Sequence, residues 1–423
     1  MKNFKAKSSP PGQRDLFGIE QVAELYKRYP EMAIDNASLY AMASKQVGVP
    51  PEDLGERVPV GKSGQKHNLA HRAIRWSQQS LKRLGILERV KGERGIWRLT
   101  EDAKRGLSAA KPGVKVLGFS TDLGIAVFGS SVDIFKRLDS PVMLLVSSPP
   151  YPLSHERKYG NPCQKEIVKF LMGILEPIIE KLDERGSLCL NLSNDIFIPG
   201  TPARSTYVER LVIALEDHGL YKMDSLVWEN RSKAPGPMQW ASKTRQQLNV
   251  SWEPILWFAK NPMLVKSDNR RVLEPHTDRH LKLIASGGEA RQTNNCDGAY
   301  RLRTGSFSNE TAGRIPKNVI SRGHRCAYGL QYQKACAKLG LTPHGAGQPL
   351  SIPDFLIRFL TEENDLVVDP WGGRSMLGLA ADLLNRRWMT GELQLDYVRG
   401  AAELFRERPG FHLNPQIERA FMR

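Results

Sequence analysis

An apolar run, Val142-Met143-Leu144-Leu145-Val146, leads directly into Ser147-Ser148-Pro149-Pro150-Tyr151. The run is long enough for one buried strand and too short for a helix of ordinary length. The two prolines then end that strand, because neither can donate a ladder hydrogen bond. They leave a rigid turn at a strand's carboxyl end, carrying one hydroxyl, two fixed carbonyls and one aromatic ring. In open α/β sheets, ligands sit at that end of the strands. A bare Pro-Pro also suits an ordinary strand-terminating turn, so the remainder of the chain has to decide between the two.

The chain of 423 residues has room for two or three domains and a large core. Lys+Arg number 61 against 45 for Asp+Glu, a formal charge of +16 with a pI near 9.6. The excess is spread along the chain, as on a surface that meets a polyanion, and nucleic acid is the expected partner. The five cysteines (163, 189, 296, 326 and 336) form no CxxC pair and have no His at zinc spacing. They read as reduced intracellular thiols, and no metal site is expected. Met1 to Asp15 lacks the apolar core of a leader, and no stretch is apolar enough to span a membrane. A cytoplasmic, nucleoid-associated protein is expected, with no internal repeat.

Residues 1–20 are rich in Lys, Ser, Pro and Gly and read as a disordered tail. Residues 21–110 read as a small helical unit. Asn36 can cap a helix carrying Leu39, Met42, Ala43 and Val47, stopped near Gly48. A second helix, from about Asn68 to Leu84, is expected to bury Leu69, Ala73, Trp76, Ser80 and Leu84. It would present Arg72, Arg75, Lys82 and Arg83 to solvent. Ile86–Val90 and Ile96–Leu99, joined by Lys91-Gly92-Glu93-Arg94-Gly95, form a hairpin with a basic tip. Helices followed by such a hairpin predict a winged helix that binds DNA through its last long helix. A dimerisation or packing module would share the pattern.

After a Lys-Pro-Gly linker at 111–113, strands and helices alternate, which predicts a mostly parallel sheet. The first part of this domain spans 114–261. Between 262 and 342 the periodicity fades, and arginines including Arg270, Arg271, Arg301 and Arg303 accumulate among Asn, Gly and His. A long irregular segment inside a folded domain is usually functional or disordered; its composition suits a surface that reads DNA, or a disordered basic insert. Order returns in 343–423. Leu366-Val367-Val368-Asp369 is a buried strand, Pro370-Trp371-Gly372-Gly373-Arg374-Ser375 a glycine-bearing turn, and Arg387 to Glu392 a second strand ending on an acid. Strand, glycine turn, helix, strand and acid is the logic of a nucleotide-binding βαβ unit, in which Glu392 would accept from ribose hydroxyls.

With both units in view, the chain resembles the β-class (permuted) DNA amino-methyltransferases. Ser148-Pro149-Pro150-Tyr151 is similar to their catalytic tetrapeptide, and Asp369-Pro370-Trp371-Gly372-Gly373 to their cofactor motif. Ser at the first catalytic position resembles the cytosine-N4 branch. The resemblance covers roughly 124 to 402 and includes 200–205, 232–237 and His344-Gly345-Ala346. It departs at Ser130, where the family usually has Asp, at Ser375, where Gly or Asn is usual, and at Gln348, which replaces an aromatic before Pro349.

The resemblance implies a Rossmann-like, circularly permuted methyltransferase fold with 262–342 as an inserted target-recognition segment. It implies transfer of a methyl group from S-adenosyl-L-methionine to the N4 amine of a flipped cytosine in double-stranded DNA. Ser148, Pro149, Pro150 and Tyr151 would be catalytic. Asp369, Pro370, Trp371, Gly372, Gly373, Ser375, Glu392, Ser130 and Pro349 would bind the cofactor, and Lys233, Pro235 and Trp228 would line the target-base pocket. Adenine-N6 methylation, and a DNA-binding protein that has lost activity on this fold, are the alternatives. A cognate restriction endonuclease is compatible with the family, as is either a monomer or a homodimer.

Overall fold

The computed structural model describes residues 18–420, apart from 60–64, 105–108, 154–161, 231–232, 234–237 and 296–299. The N-terminal unit begins with α1 (Ile19–Lys27), β1 (Ile34–Asp35) and α2 (Asn36–Val47). It continues through β2 (Arg57–Pro59), β3 (Lys66–Asn68), α3 (Leu69–Arg83), β4 (Leu87–Arg89) and β5 (Ile96–Leu99). The cap of α2 is Asp35 rather than Asn36: one carboxylate oxygen accepts from Ala37 N at 2.8 Å and Ser38 N at 3.0 Å. An ionised carboxylate at a helix start also complements the helix dipole, an advantage an amide lacks.

The buried face of α3 is only partly the expected one, with Ser80 and Leu84 in the core and Ala73 packed against it. Ala70, Ile74, Ser77 and Leu81 point inward, while Leu69 is 39% and Trp76 56% exposed. Either face offers apolar residues at helical spacing, and a buried polar pair decides between them. The Gln78 amide donates to Tyr26 Oη at 2.9 Å and to Asn36 Oδ1 at 3.1 Å, so Gln78 can enter the core satisfied. β1, β5 and β4 form a small antiparallel sheet in that order.

A short helix, α4 (Glu101–Lys104), precedes the main sheet. The chain then builds β6 (Lys115–Ser120), β7 (Gly124–Gly129), α5 (Ser131–Phe135), β8 (Val142–Ser147), α6 (Ile167–Ile179) and β9 (Leu182–Asn191). α7 (Tyr207–Asp217), β10 (Tyr221–Glu229) and β11 (Trp252–Ala259) come after these. Next are α8 (Asp278–Ala285), β12 (Thr293–Asn295), β13 (Tyr300–Leu302), β14 (Val319–Ser321) and α9 (Ala327–Leu339). The last part holds α10 (Ser351–Leu360), β15 (Leu366–Asp369), α11 (Met376–Leu383), β16 (Arg387–Glu392), α12 (Leu395–Ala402), β17 (His412–Leu413) and α13 (Pro415–Ala420).

Ten strands form one sheet in the order β14-β10-β11-β9-β8-β15-β16-β7-β6-β17. The five central strands, β9, β8, β15, β16 and β7, are mutually parallel, and antiparallel pairs flank them on both sides. Every residue of β8 and of β15 is buried, as strands covered on both faces require. The expected mostly parallel α/β sheet is thus the one that forms.

The segment 262–342 carries more order than its pattern suggests. β14 joins the main sheet beside β10, and α9 packs on α12, where Tyr332 and Cys336 crowd the glycine surface of Gly400.

Candidate active site

β8 and β15 are neighbouring parallel strands, with Leu144 opposite Val367 and Leu145 opposite Val368. Their carboxyl ends therefore arrive side by side. Ser147 Oγ donates to Asp369 Oδ1 at 2.5 Å, joining two turns that lie 222 positions apart in the chain. The Trp371 N–H donates to the same oxygen at 3.0 Å. Burial pushes the Asp369 carboxyl up to about 6, although both hydrogen bonds pull it down.

β16 lies beside β15 and delivers Glu392 at the same edge. Its carboxylate accepts from Gly373 N at 2.7 Å and Gln394 N at 2.8 Å. Burial pushes this group up to about 7; the two backbone donors oppose the rise, and the nearby Asp369 charge adds to it. Between β15 and α11 the backbone turns through Gly373 at φ +51°, where a Cβ would touch the His344 ring at 3.4 Å. Ser375 sits in the same left-handed region at φ +53°, which explains why Gly or Asn is usual there. Its hydroxyl is buried, 3.2 Å from Thr390 Oγ1, and does not reach the cleft.

On the turn after β8, Ser148 Oγ lies 2.8 Å from Tyr151 Oη. Tyr151 in turn donates to the Asn191 carbonyl at 3.3 Å. The Asn191 side chain accepts from Gln348 Nε2 at 2.5 Å and donates to Glu253 Oε2 at 3.2 Å. Glu253 pairs with Lys233 across 3.4 Å. Arg374, from the glycine turn, donates to the carbonyls of Gly347 and Gln348 at 2.8 and 2.6 Å. Of the residues that depart from the family pattern, Gln348 is thus tied through its side chain to Asn191 and through its carbonyl to Arg374.

Ser148, Pro149, Pro150 and Tyr151 form one wall of a cleft of about 200 Å³. Ser130, Pro370, Trp371 and Glu392 form the other, with Phe170, Ile174 and Tyr397 completing it. The residues present fit a nucleoside-bearing cofactor: an apolar slot beside Trp371, Phe170 and Ile174, with the Glu392 carboxylate in its lining.

A family model described as DNA methylase, covering N6 and N4 methyltransferases, matches residues 142–403. The chain belongs to that family. It is 32% identical over 289 residues to the Type II methyltransferase M.PvuII of Proteus hauseri, covering 68% of this chain and 85% of that one. It is 23% identical over 266 residues to M1.MboII of Moraxella bovis, across 62% of this chain and 87% of that protein. The solved PvuII DNA methyltransferase (cytosine-N4-specific) superposes with a TM-score of 0.54 at 27% identity, covering 71% of this chain and 91% of that one. The methylase is a site-specific DNA methyltransferase that uses S-adenosyl-L-methionine.

Other residues singled out in the sequence lie elsewhere in the methylase. Pro349 is buried ahead of α10, one residue beyond Gln348. Lys233 lies beside Glu253, while Pro235 falls outside the described residues. Trp228 is not open to a base: it is 4% exposed, donates from its indole to the Arg322 carbonyl at 3.0 Å and stacks on His324. Arg271 bonds to the Thr361 carbonyl and to Glu362, and Arg270 to Asp268. Thr361 and Glu362 precede β15, so Arg271 sits near the amino-terminal end of that strand, away from Ser148. Arg301 and Arg303 are exposed on and just after β13. Arg72, Arg75 and Arg83 are exposed on α3, with Lys82 partly so.

Sequence reasoning assigns no role to His344, Asn191, Glu253 or Arg374. A single His or Asn carries no local pattern; only His344 belongs to a stretch that resembles the family, His344-Gly345-Ala346. No group of three or more His, Cys, Asp or Glu residues among the described residues is placed to hold a metal ion. No described helix is long and apolar enough to cross a membrane.

Proposed function

We propose that this DNA methyltransferase methylates the exocyclic N4 amine of cytosine flipped out of duplex DNA. The observation that carries the proposal is the hydrogen-bond chain Ser148–Tyr151–Asn191 at the cleft wall. The single proton of the Tyr151 hydroxyl points at the Asn191 carbonyl, so its oxygen accepts from Ser148. The Ser148 oxygen is then left with lone pairs for a donor in the cleft.

A cytosine amine is a poor nucleophile because its lone pair is delocalised into the ring. Donating to Ser148 Oγ and to the Pro149 carbonyl would draw the nitrogen towards tetrahedral geometry and free that lone pair. When bound, S-adenosyl-L-methionine supplies the electrophilic methyl on its sulfonium. Glu392 would hold its ribose hydroxyls, Trp371 would pack near its adenine, and Asp369 would take its amino group. Positioning and electrostatics then carry most of the rate, with no strong base required. Tyr151 would stack on the flipped base, an interaction worth roughly 1–3 kcal/mol, which offsets part of the unstacking cost.

We also read residues 21–110 as a winged-helix DNA-binding unit. What supports this is the order α1, β1, α2, α3, β4, β5, with the paired strands β2 and β3 set between α2 and α3, and the last strand central in the sheet β1-β5-β4. The named relatives are Type II methyltransferases, so a cognate restriction endonuclease and a cytoplasmic location are proposed with the activity. Sedimentation decides between monomer and homodimer.

Nucleoside mass spectrometry on duplex DNA treated with the protein and S-adenosyl-L-methionine tests the base. N4-methylcytosine is expected. N6-methyladenine would overturn the role of Ser148 as a cytosine-selecting group, and no methylated base on varied duplexes would favour a DNA-binding protein without activity.

A further inference from the structure

α3 carries Leu69, Arg72, Arg75, Trp76, Gln79 and Arg83 on the face turned away from the N-terminal core, and all are exposed. They recur at helical spacing opposite the buried Ala70, Ile74, Ser77 and Leu81. The helix contains no Asp or Glu at all. It is capped at its start, where Asn68 Oδ1 accepts from His71 N at 2.9 Å. The face is pinned outward by the buried Gln78 bonds to Tyr26 and Asn36, so exposure of Trp76 follows from the core and is not a fraying end.

We propose that this face of α3 enters the major groove of duplex DNA and reads base edges, with Arg72, Trp76 and Gln79 as the readers and Arg75 and Arg83 as phosphate contacts. The inference rests on the winged-helix interpretation above and adds sequence reading to it. Arg and Gln are the side chains whose paired donors and acceptors match guanine and adenine edges, and the indole offers a flat apolar surface to a thymine methyl. An α-helix fits the width of that groove. A second copy of the chain is a poor occupant. In a two-fold interface the stripe would face itself, setting arginines against arginines with no carboxylate of α3 to offset them.

The test is selection from a randomised duplex pool by the full chain, comparing wild type with Arg72→Ala, Trp76→Ala and Gln79→Ala. All three sites are exposed, so the fold should persist, and circular dichroism melting checks this. Each variant should lose preference at one or two adjacent base pairs and bind the wild-type-selected duplex roughly 5- to 150-fold more weakly. Arg83→Ala should weaken all duplexes alike and lower the salt slope by about one. If the three variants select the wild-type sequence and bind it within about twofold of wild type, the proposal fails. It fails equally if they convert a dimer to a monomer without altering selection. Nucleoside mass spectrometry on the same preparations separates the two claims. Cytosine methylation with unchanged selection sinks only the α3 proposal; altered selection without methylation sinks only the catalytic one.

Discussion

The backbone N–H of Ala110 donates to the carbonyl of Leu393 at 2.8 Å. Ala109 forms an antiparallel bridge to Gln394 in the same place. Gln394 is the residue whose N–H holds one oxygen of Glu392. The segment that leaves the N-terminal unit is therefore bonded to the backbone next to the Glu392 carboxylate. Ala110→Pro removes that donor while keeping a small apolar side chain. Binding of S-adenosyl-L-methionine, read by calorimetry, should weaken about fivefold, the equivalent of one ordinary hydrogen bond. Unchanged affinity would mean that the bridge does not position Glu392.

Ser148→Ala deletes the hydroxyl that faces the cleft and leaves the prolines and the cofactor side untouched. Turnover should fall on the order of 10²- to 10³-fold, as for loss of one aligned hydrogen-bonding group at a reacting centre. Calorimetric cofactor affinity should stay at the wild-type value. A variant retaining near-normal turnover would remove Ser148 from the mechanism. Tyr151→Ala should slow the reaction as well, without changing the DNA contacts of α3.

The two raised carboxyls predict how stability changes with pH. Between about 4 and about 6 for Asp369, and about 7 for Glu392, the folded protein holds protons that the unfolded chain has released. The unfolded state then binds fewer protons, so the contribution of these groups to stability falls as pH rises through that window. Melting of the ligand-free protein at pH 5 and pH 8 should show this, and Glu392→Gln should lessen the fall. Histidines whose burial holds their pKa low, such as His324, act in the opposite direction, which makes the difference between wild type and variant the quantity to read. Cofactor affinity should rise through pH 7 in the wild type, because an ionised Glu392 accepts from hydroxyls better, and should be flat in Glu392→Gln.

The strings that end strands are legible because their chemistry is local. Two prolines stop β8 and two glycines open the turn after β15 whatever surrounds them, and Glu392 comes at the spacing a βαβ unit imposes. The relationships between those strings are not legible. The Ser147–Asp369 bond depends on β8 and β15 being neighbours, and nothing within either segment encodes that adjacency. The buried face of α3 escapes a pattern reading for a related reason: Trp76 is more apolar than Gln78, but a partner 52 positions away in Tyr26 makes Gln78 the one that can be buried. The family resemblance places Trp228 at the base pocket, and composition places Arg271 on DNA. The first is consumed by the sheet and the second by Glu362, partners contributed by distant parts of the chain.

Gly373 and Ser375 offer a paired test of the turn after β15. Both adopt positive φ, at +51° and +53°. An alanine at 373 adds the left-handed penalty of roughly 1–2 kcal/mol and brings a Cβ to 3.4 Å from the His344 ring. A glycine at 375 removes a comparable penalty but also loses the contact with Thr390, worth about 1 kcal/mol, so the two changes nearly cancel. Gly373→Ala should therefore lower the denaturant midpoint clearly, and Ser375→Gly should leave it almost where it was. Gly373→Ala should also weaken cofactor binding, because the displaced N–H is the one that holds Glu392 Oε2. Equal midpoints for the two variants would show that the turn relaxes freely, and that the left-handed geometry at 373 is not needed to hold the carboxylate.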